Sequence, residues 1–281
     1  MRSILSILLI LISRLNATGQ TETDGTIIVF NSSEKEFVIA ADSRTSGTRT
    51  YADDDCKISA FGNKVIFTVS GRAGTRNKPT EYWDAHAIAK ENFNRLAAKI
   101  GSDNFTIELA QAWGMAIKIK IEERRDRGVN IVGGLNANDP MMSALFAGVR
   151  RDGSVTAVME TVDFEVGTNR KIQISYSPPY TLRNTDAPNW MGEHEVIDEL
   201  KRGGTFQSDQ WRRKIDATVR ASHDQIAAVA IEQVRLTIDN LPPSKKTVKG
   251  VSFSVVGYPI SAARLTGKGV EWIEKGHCPQ K

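Results

Sequence analysis

Between Thr26 and Ser70 the chain carries four short apolar runs in two pairs, and that arrangement leaves few folds open. Thr26–Phe30 and Phe37–Ala41 are parted by the turn-forming stretch Asn31-Ser32-Ser33-Glu34, and Cys56–Phe61 and Lys64–Ser70 by Gly62-Asn63. β-Branched and apolar runs of this length, broken by such residues, predict two β-hairpins, the second with a tight turn. The runs are mostly apolar on both faces rather than on one, so the sheets they build need cover on both sides.

The cover follows in the sequence. Thr80–Ile100 comes after Pro79 and sets Trp83, Ala87, Ile88, Phe93, Leu96 and Ala97 roughly at helical spacing. Thr106–Arg127 puts Leu109, Trp113, Ile117 and Ile121 on one stripe and stops at Gly128. Trp83 and Trp113 lie at that spacing beside alanine and leucine, and read as core residues rather than a binding platform. Strands resume at Met142–Arg150 and Ser154–Glu160 around an Asp152-Gly153 turn. A less regular stretch holding Pro178-Pro179 and Asp186-Ala187-Pro188 runs to Trp190. Beyond it, helices are predicted at Glu193–Lys201 and Ser222–Asp239, and strands at Val251–Val256, Ile260–Leu265 and Val270–Ile273. Two helices set between two runs of hairpins predict an α+β fold, a four-layer αββα sandwich of two antiparallel sheets with helix layers outside.

A chain of 281 residues can bury a sizeable core. Its net charge of +4 is spread thinly, and the densest groups, Glu122–Arg127 and Arg212–Lys214, read as solvated helix faces rather than a nucleic-acid surface. Cys56 and Cys278 form no CxxC pair, and His86, His194, His223 and His277 are far apart, so no zinc or iron–sulfur spacing exists. Two cysteines so distant in sequence leave their pairing open. At the N-terminus Arg2 precedes an apolar run from Ile4 to Ile12, followed by the more polar Ser13–Gln20 with Ala17 and Gly19. That is the layout of a secretory signal, and the run is short for a membrane span. Export, to a periplasm or the medium, is the expectation; a propeptide on a cytoplasmic protein is the alternative.

The segment Val38-Ile39-Ala40-Ala41-Asp42-Ser43-Arg44 resembles the second strand of proteasome β subunits and of the related bacterial proteasome-like peptidases. The likeness continues in register. Thr26 follows Gly25 as the family's catalytic threonine follows a propeptide glycine. Cys56-Lys57-Ile58 is similar to the family's catalytic lysine and the apolar residue after it, across a loop one residue shorter than in most relatives. Val69-Ser70-Gly71-Arg72-Ala73-Gly74 resembles the turn that supplies an oxyanion-binding amide. Weaker likenesses cover the hairpin Met142–Glu160 and Val255-Val256-Gly257-Tyr258-Pro259-Ile260, which resembles the late glycine turn. The resemblance implies an N-terminal-nucleophile hydrolase fold over residues 26–281 behind a signal-like segment or propeptide of residues 1–25. It also implies a peptide or protein substrate, ring-like homo-oligomers, and no metal or cofactor.

The chemistry gives each residue type a reason. A threonine hydroxyl is a poor nucleophile and needs a base. A chain-terminal α-amine, with a pKa of roughly 8, supplies one on the same residue. An internal Thr26 has only an amide nitrogen, so the Gly25–Thr26 bond must be cut first; relatives cut it themselves, and Gly25 lets the chain bend closely there. The resemblance makes Lys57 the positive charge beside Thr26, Asp42 the partner that orients it, and Gly71 the oxyanion donor, a role worth roughly 3 kcal/mol in comparable sites. Arg44 reads as a structural partner near the site, and the substrate pocket is expected around Thr45–Arg49 and Arg72–Lys78.

The chain also departs from the family. Proteasome-type sites add a serine in a Gly-Ser-Gly turn; Trp190-Met191-Gly192-Glu193 fits that place best, with Met191 at the serine. Phe253 and Val256 stand where the family has an aspartate–serine pair, and Asp239 is the nearest aspartate. The expectation is a threonine-type endopeptidase. The alternatives are an amidohydrolase of small amides on the same fold, and a non-catalytic proteasome-like protein with structural or binding duties.

Overall fold

The two N-terminal hairpins form and then part, each entering a different sheet. A computed structural model of the chain describes residues 26–46, 51–53, 55–71, 73–75, 83–129, 131, 140–166, 172–182, 188–202, 223–241, 247–248, 251–252 and 254–278. The first hairpin is β1 (Ile27–Ser32) and β2 (Glu36–Ala41); the second is β3 (Ile58–Phe61) and β4 (Val65–Gly71). Gly62 and Asn63 close the second at φ of 55° and 54°, the doubly positive conformation a two-residue hairpin turn requires. The later strands are β5 (Met142–Val149), β6 (Val155–Val166), β7 (Ile172–Tyr176), β8 (Asn189–Gly192), β9 (Ser261–Thr266) and β10 (Gly269–Glu274). The helices are α1 (Ala85–Arg95), α2 (Phe105–Asp126), α3 (Glu195–Arg202) and α4 (His223–Asn240).

One antiparallel sheet has the order β8-β1-β2-β9-β10. The other has the order β7-β6-β5-β4-β3, with Tyr180–Thr181 also paired to β6. Alternation along β1 explains why the run is apolar throughout. Ile28 and Phe30 face the second sheet, where they meet Ile58, Ile66, Leu145 and Ala147. Ile27 and Val29 face the opposite way, against Ile197, Ala230 and Val234 of α3 and α4. On the far side, α1 and α2 cover the second sheet through Phe93, Leu109, Trp113 and Ile117. The result is the four-layer αββα architecture read from the sequence. Trp113 and Trp83 are both core residues. Trp113 is fully buried, its ring 5.9 Å from both Phe67 and Phe146 and its N–H donated to the Ala85 carbonyl at 3.1 Å.

Four expectations need correcting. The first helix begins at Ala85 because Asp84 caps it, accepting from Ala87 N–H at 2.9 Å; Trp83 and Asp84 instead pair with Gly74 and Thr75. It also ends early, at Arg95, followed by a 3₁₀ turn over Ala97–Lys99. β6 does not stop at Glu160 but continues to Val166 to pair with β7, and the stretch before Trp190 holds β7, Tyr180–Thr181 and the start of β8. Among the described residues of Val251–Val256, Val251–Ser252 is strand and Ser254–Val256 is not; by Gly257 the backbone polar groups have turned to Asp42 and Ser43. Among the buried side chains of the described residues, one carboxyl has neither oxygen paired. Glu160, on β6 beneath α2, is fully buried, and neither carboxyl oxygen has a hydrogen-bond partner among the described residues.

Candidate active site

The hairpin register places Asp42 opposite the start of β1. Ile28 pairs with Ala41, so Ile27 N–H reaches Asp42 Oδ1 at 3.0 Å, and Asp42 N–H reaches the Ile27 carbonyl at 3.3 Å. The Thr26 carbonyl is held from the other side by Glu193 N–H at 2.7 Å, just past the end of β8. Asp42 is fully buried, and a buried carboxylate is tolerated only when its oxygens are paired. Oδ2 accepts from Arg44 N–H at 3.1 Å and from Gly257 N–H at 3.2 Å. Oδ1 adds the Lys57 ammonium at 3.0 Å. Burial pushes the Asp42 carboxyl above its usual range, while the Lys57 ammonium and the Ile27 and Gly257 N–H groups pull it back.

Lys57 arrives from the other sheet. It stands directly before β3, is 4% exposed, and its carbonyl accepts from Thr68 Oγ1 of β4 at 2.7 Å. Its ammonium lies 2.5 Å from Thr26 Oγ1, so one cation bridges the threonine hydroxyl and the buried carboxylate. Gly71 ends β4, at the same end of that sheet as Lys57. Its φ is +91°, and a Cβ there would sit 2.6 Å from the Met141 carbonyl oxygen, so only glycine fits. Arg44 holds Asp53 with two hydrogen bonds, 2.5 and 2.6 Å, and the Ser254 carbonyl at 3.0 Å. Thr26, Asp42 and Lys57 are thus in direct contact, with Arg44 bracing the loop beside them. Gly25 lies outside the described residues, as do residues 47–49, 72 and 76–78 of the expected pocket segments.

The segment proposed for the family's serine turn is a strand. Met191 pairs with Ile28 in β8, and its side chain is buried between the sheets. What this segment brings to Thr26 is a backbone N–H, that of Glu193. Gly192, at φ +85°, makes the approach possible, because a Cβ there would collide with the Thr26 carbonyl. Val256 is packed in the helix-side core, Phe253 lies outside the described residues, and Asp239 accepts from the Tyr258 hydroxyl at 2.7 Å. Cys56 and Cys278 form a disulfide across 222 residues, a pairing no local pattern could reveal. His86 bonds Ser59 Oγ, and His194 bonds the Gly192 carbonyl and Asp198. Among the described residues no group of three or more His, Cys, Asp or Glu could hold a metal ion, and no helix is long and apolar enough to cross a membrane.

The four-layer arrangement of two antiparallel sheets between helices is the one the sequence predicts. No family model matches the sequence, and no curated protein matches it. Among solved structures the chain is similar to a mutant of Anbu from Hyphomicrobium sp. strain MC1, at 17% identity and a TM-score of 0.42, covering 89% of this chain and 87% of that one. A likeness that distant carries no role for any residue.

Proposed function

We propose that the chain is an amide-bond hydrolase of the threonine type, with Thr26 as nucleophile after a cut of the Gly25–Thr26 bond. The observation that carries this reading is the Lys57 ammonium, 2.5 Å from Thr26 Oγ1 and 3.0 Å from a fully buried Asp42. A cation so placed lowers the energy of the alkoxide and disfavours a second positive charge on the freed α-amine. That amine accepts the hydroxyl proton, the oxygen attacks the substrate carbonyl, and the oxyanion that develops is met by the Gly71 N–H. The amine's proton then passes to the departing nitrogen, leaving an ester on Thr26 that water hydrolyses.

Peptides and small acylamides both offer the carbonyl this chemistry needs, so endopeptidase and amidohydrolase are separated by hydrolysis of a peptide panel against acylamides. A second reading, a structural or binding protein on the same fold, is favoured by Met191. At the place of the family's serine this chain has a thioether buried between the sheets, which holds no α-amine. The disulfide favours the exported assignment, since such bonds persist in oxidising compartments. Ring-like self-association follows from the resemblance, and light scattering after gel filtration tests it.

The deciding measurement is the N-terminal sequence and intact mass of the purified protein, for wild type and Thr26→Ala. A wild-type chain beginning at Thr26, an uncut variant, and labelling of Thr26 by a threonine-directed electrophile are the expected results. A wild type that retains residues before Thr26 removes the catalytic reading and leaves the binding one.

A further inference from the structure

The contacting residues of the site are divided between the two sheets. Asp42 is bound into its own sheet by the Ile27, Arg44 and Gly257 N–H groups, with Thr26 directly before the adjoining strand β1. Lys57 belongs to the opposite sheet and reaches across to both. A slide of one sheet over the other at this end therefore changes both Lys57 distances together. The core between the sheets is apolar, and apolar contact is not directional.

On its downstream side Lys57 is held by Thr68 and by β3, which begins at Ile58. On its upstream side the neighbouring residue is Cys56, disulfide-bonded to Cys278 with the two Cα atoms 4.7 Å apart. Cys278 follows β10, the edge strand of the Asp42 sheet, and β3 is the edge strand of the Lys57 sheet. The bond thus ties the two edges together beside the lysine. Its far end is itself fixed: Cys278 is 6% exposed, its N–H donates to the Lys275 carbonyl at 2.8 Å, and Ser261 Oγ donates to the same carbonyl at 3.1 Å. A disulfide keeps its Cα atoms within about 4.4–6.8 Å, which gives the residue before Lys57 roughly 2 Å of play against the other sheet. A drift beyond that range would break hydrogen bonds of 2.5 and 3.0 Å.

We infer that the Cys56–Cys278 disulfide is a positioning clamp for Lys57, and that opening it weakens the site before it unfolds the protein. The inference deepens the reading of Thr26 as nucleophile and rests on it for its kinetic arm. With the clamp open, the lysine charge moves away from the α-amine, the amine holds its proton to higher pH, and fewer molecules are reactive at neutrality. Reduction by a dithiol opens the clamp in the native chain. The reagent supplies two electrons and two protons, the protein gains two thiols, and the reagent closes into its own cyclic disulfide.

The test compares wild type with Cys56→Ala/Cys278→Ala, at a temperature where circular dichroism shows the variant folded. The expected result is a fall of about tenfold in Thr26 labelling near neutral pH, with the acid limb of the rate profile shifted upward by roughly one unit. A loss of folded protein alone would lower the amplitude and leave that limb in place. Dithiol treatment of folded wild type is expected to give the same shift, reversed on reoxidation and absent from the variant; this arm serves if the variant does not fold. Wild-type rate and profile in the folded variant, or in reduced wild type, overturn the inference. A crystal structure of the variant or of reduced wild type decides the point without activity. Lys57 Nζ still within hydrogen-bond reach of Asp42 overturns the clamp. A displaced lysine in a chain whose wild type never labels leaves the clamp standing and removes the nucleophile reading instead.

Discussion

Replacing Glu160 by glutamine is expected to flatten the alkaline side of the stability profile. The carboxyl is fully buried under α2, and neither oxygen has a partner among the described residues. Its room comes from Gly114, where a Cβ would lie 2.5 Å from Glu160 Oε1. Burial alone pushes its pKa from 4.5 to about 8, with no charged group pulling it either way. The folded state therefore keeps this proton to higher pH than the unfolded chain does. Below the unfolded value both states are protonated and the group has no effect on stability. As pH rises from about 4.5 to about 8 the unfolded chain gives up the proton first, and stability falls across that window. At about 1.4 kcal/mol per unit, the whole window amounts to roughly 5 kcal/mol, of which about 3 falls between pH 6 and pH 9. Glu160→Gln keeps the shape and removes the titration. Urea denaturation of both proteins at several pH values should show wild type losing about 3 kcal/mol more than the variant from pH 6 to pH 9, or roughly 6–12 °C in Tm. Other groups titrate in both proteins and cancel in the difference. A constant difference across that range would refute the reasoning, because it would mean that the carboxyl ionises freely where it lies.

Lys57→Met leaves Asp42 buried without its counter-charge, so it should cost about 3–5 kcal/mol in denaturant unfolding and abolish Thr26 labelling. Gly192→Ala puts a side chain at φ +85° and against the Thr26 carbonyl; a loss of at least about 2 kcal/mol in thermal or urea unfolding is expected. Arg44→Lys replaces a two-pronged bond to the half-exposed Asp53 by a single contact, and should cost about 1 kcal/mol while leaving Thr26 labelling within about twofold of wild type.

Both N-terminal hairpins were legible because each is specified locally, by apolar runs and the residues between them. Which sheet each hairpin joins is not local: β1 and β4 look alike as runs, yet the strands that draw them into different sheets, β8 and β5, lie far along the chain. β8 is four residues long and has no period to read; only its pairing with β1 makes it a strand. The extension of β6 is legible, since Val162 and Phe164 alternate with Thr161, Asp163 and Glu165 past the glutamate at position 160. The helix start at Ala85 was readable too, from an aspartate in the capping position. At the site, the resemblance to proteasome β subunits, and no local pattern, groups Thr26, Asp42 and Lys57. Hidden from the sequence were the Gly257 N–H on Asp42, from 215 residues away, the Glu193 N–H on Thr26, and the arrival of Lys57 from the opposite sheet. The first two depend on distant segments meeting in one sheet and the third on how the two sheets stack, which no window of sequence contains.

The holds on the start of β1 bear on how such a protein would be switched on. Glu193 grips the Thr26 carbonyl, and Asp42 meets both the N–H and the carbonyl of Ile27. All of these lie on the carboxyl side of the bond before Thr26. Scission there would touch none of them, so the dormant and the trimmed molecule would share one scaffold. Awakening would then be a single irreversible bond cleavage with no strand to move. The speed of that cleavage, rather than any folding step, would set how long each new copy stays inert.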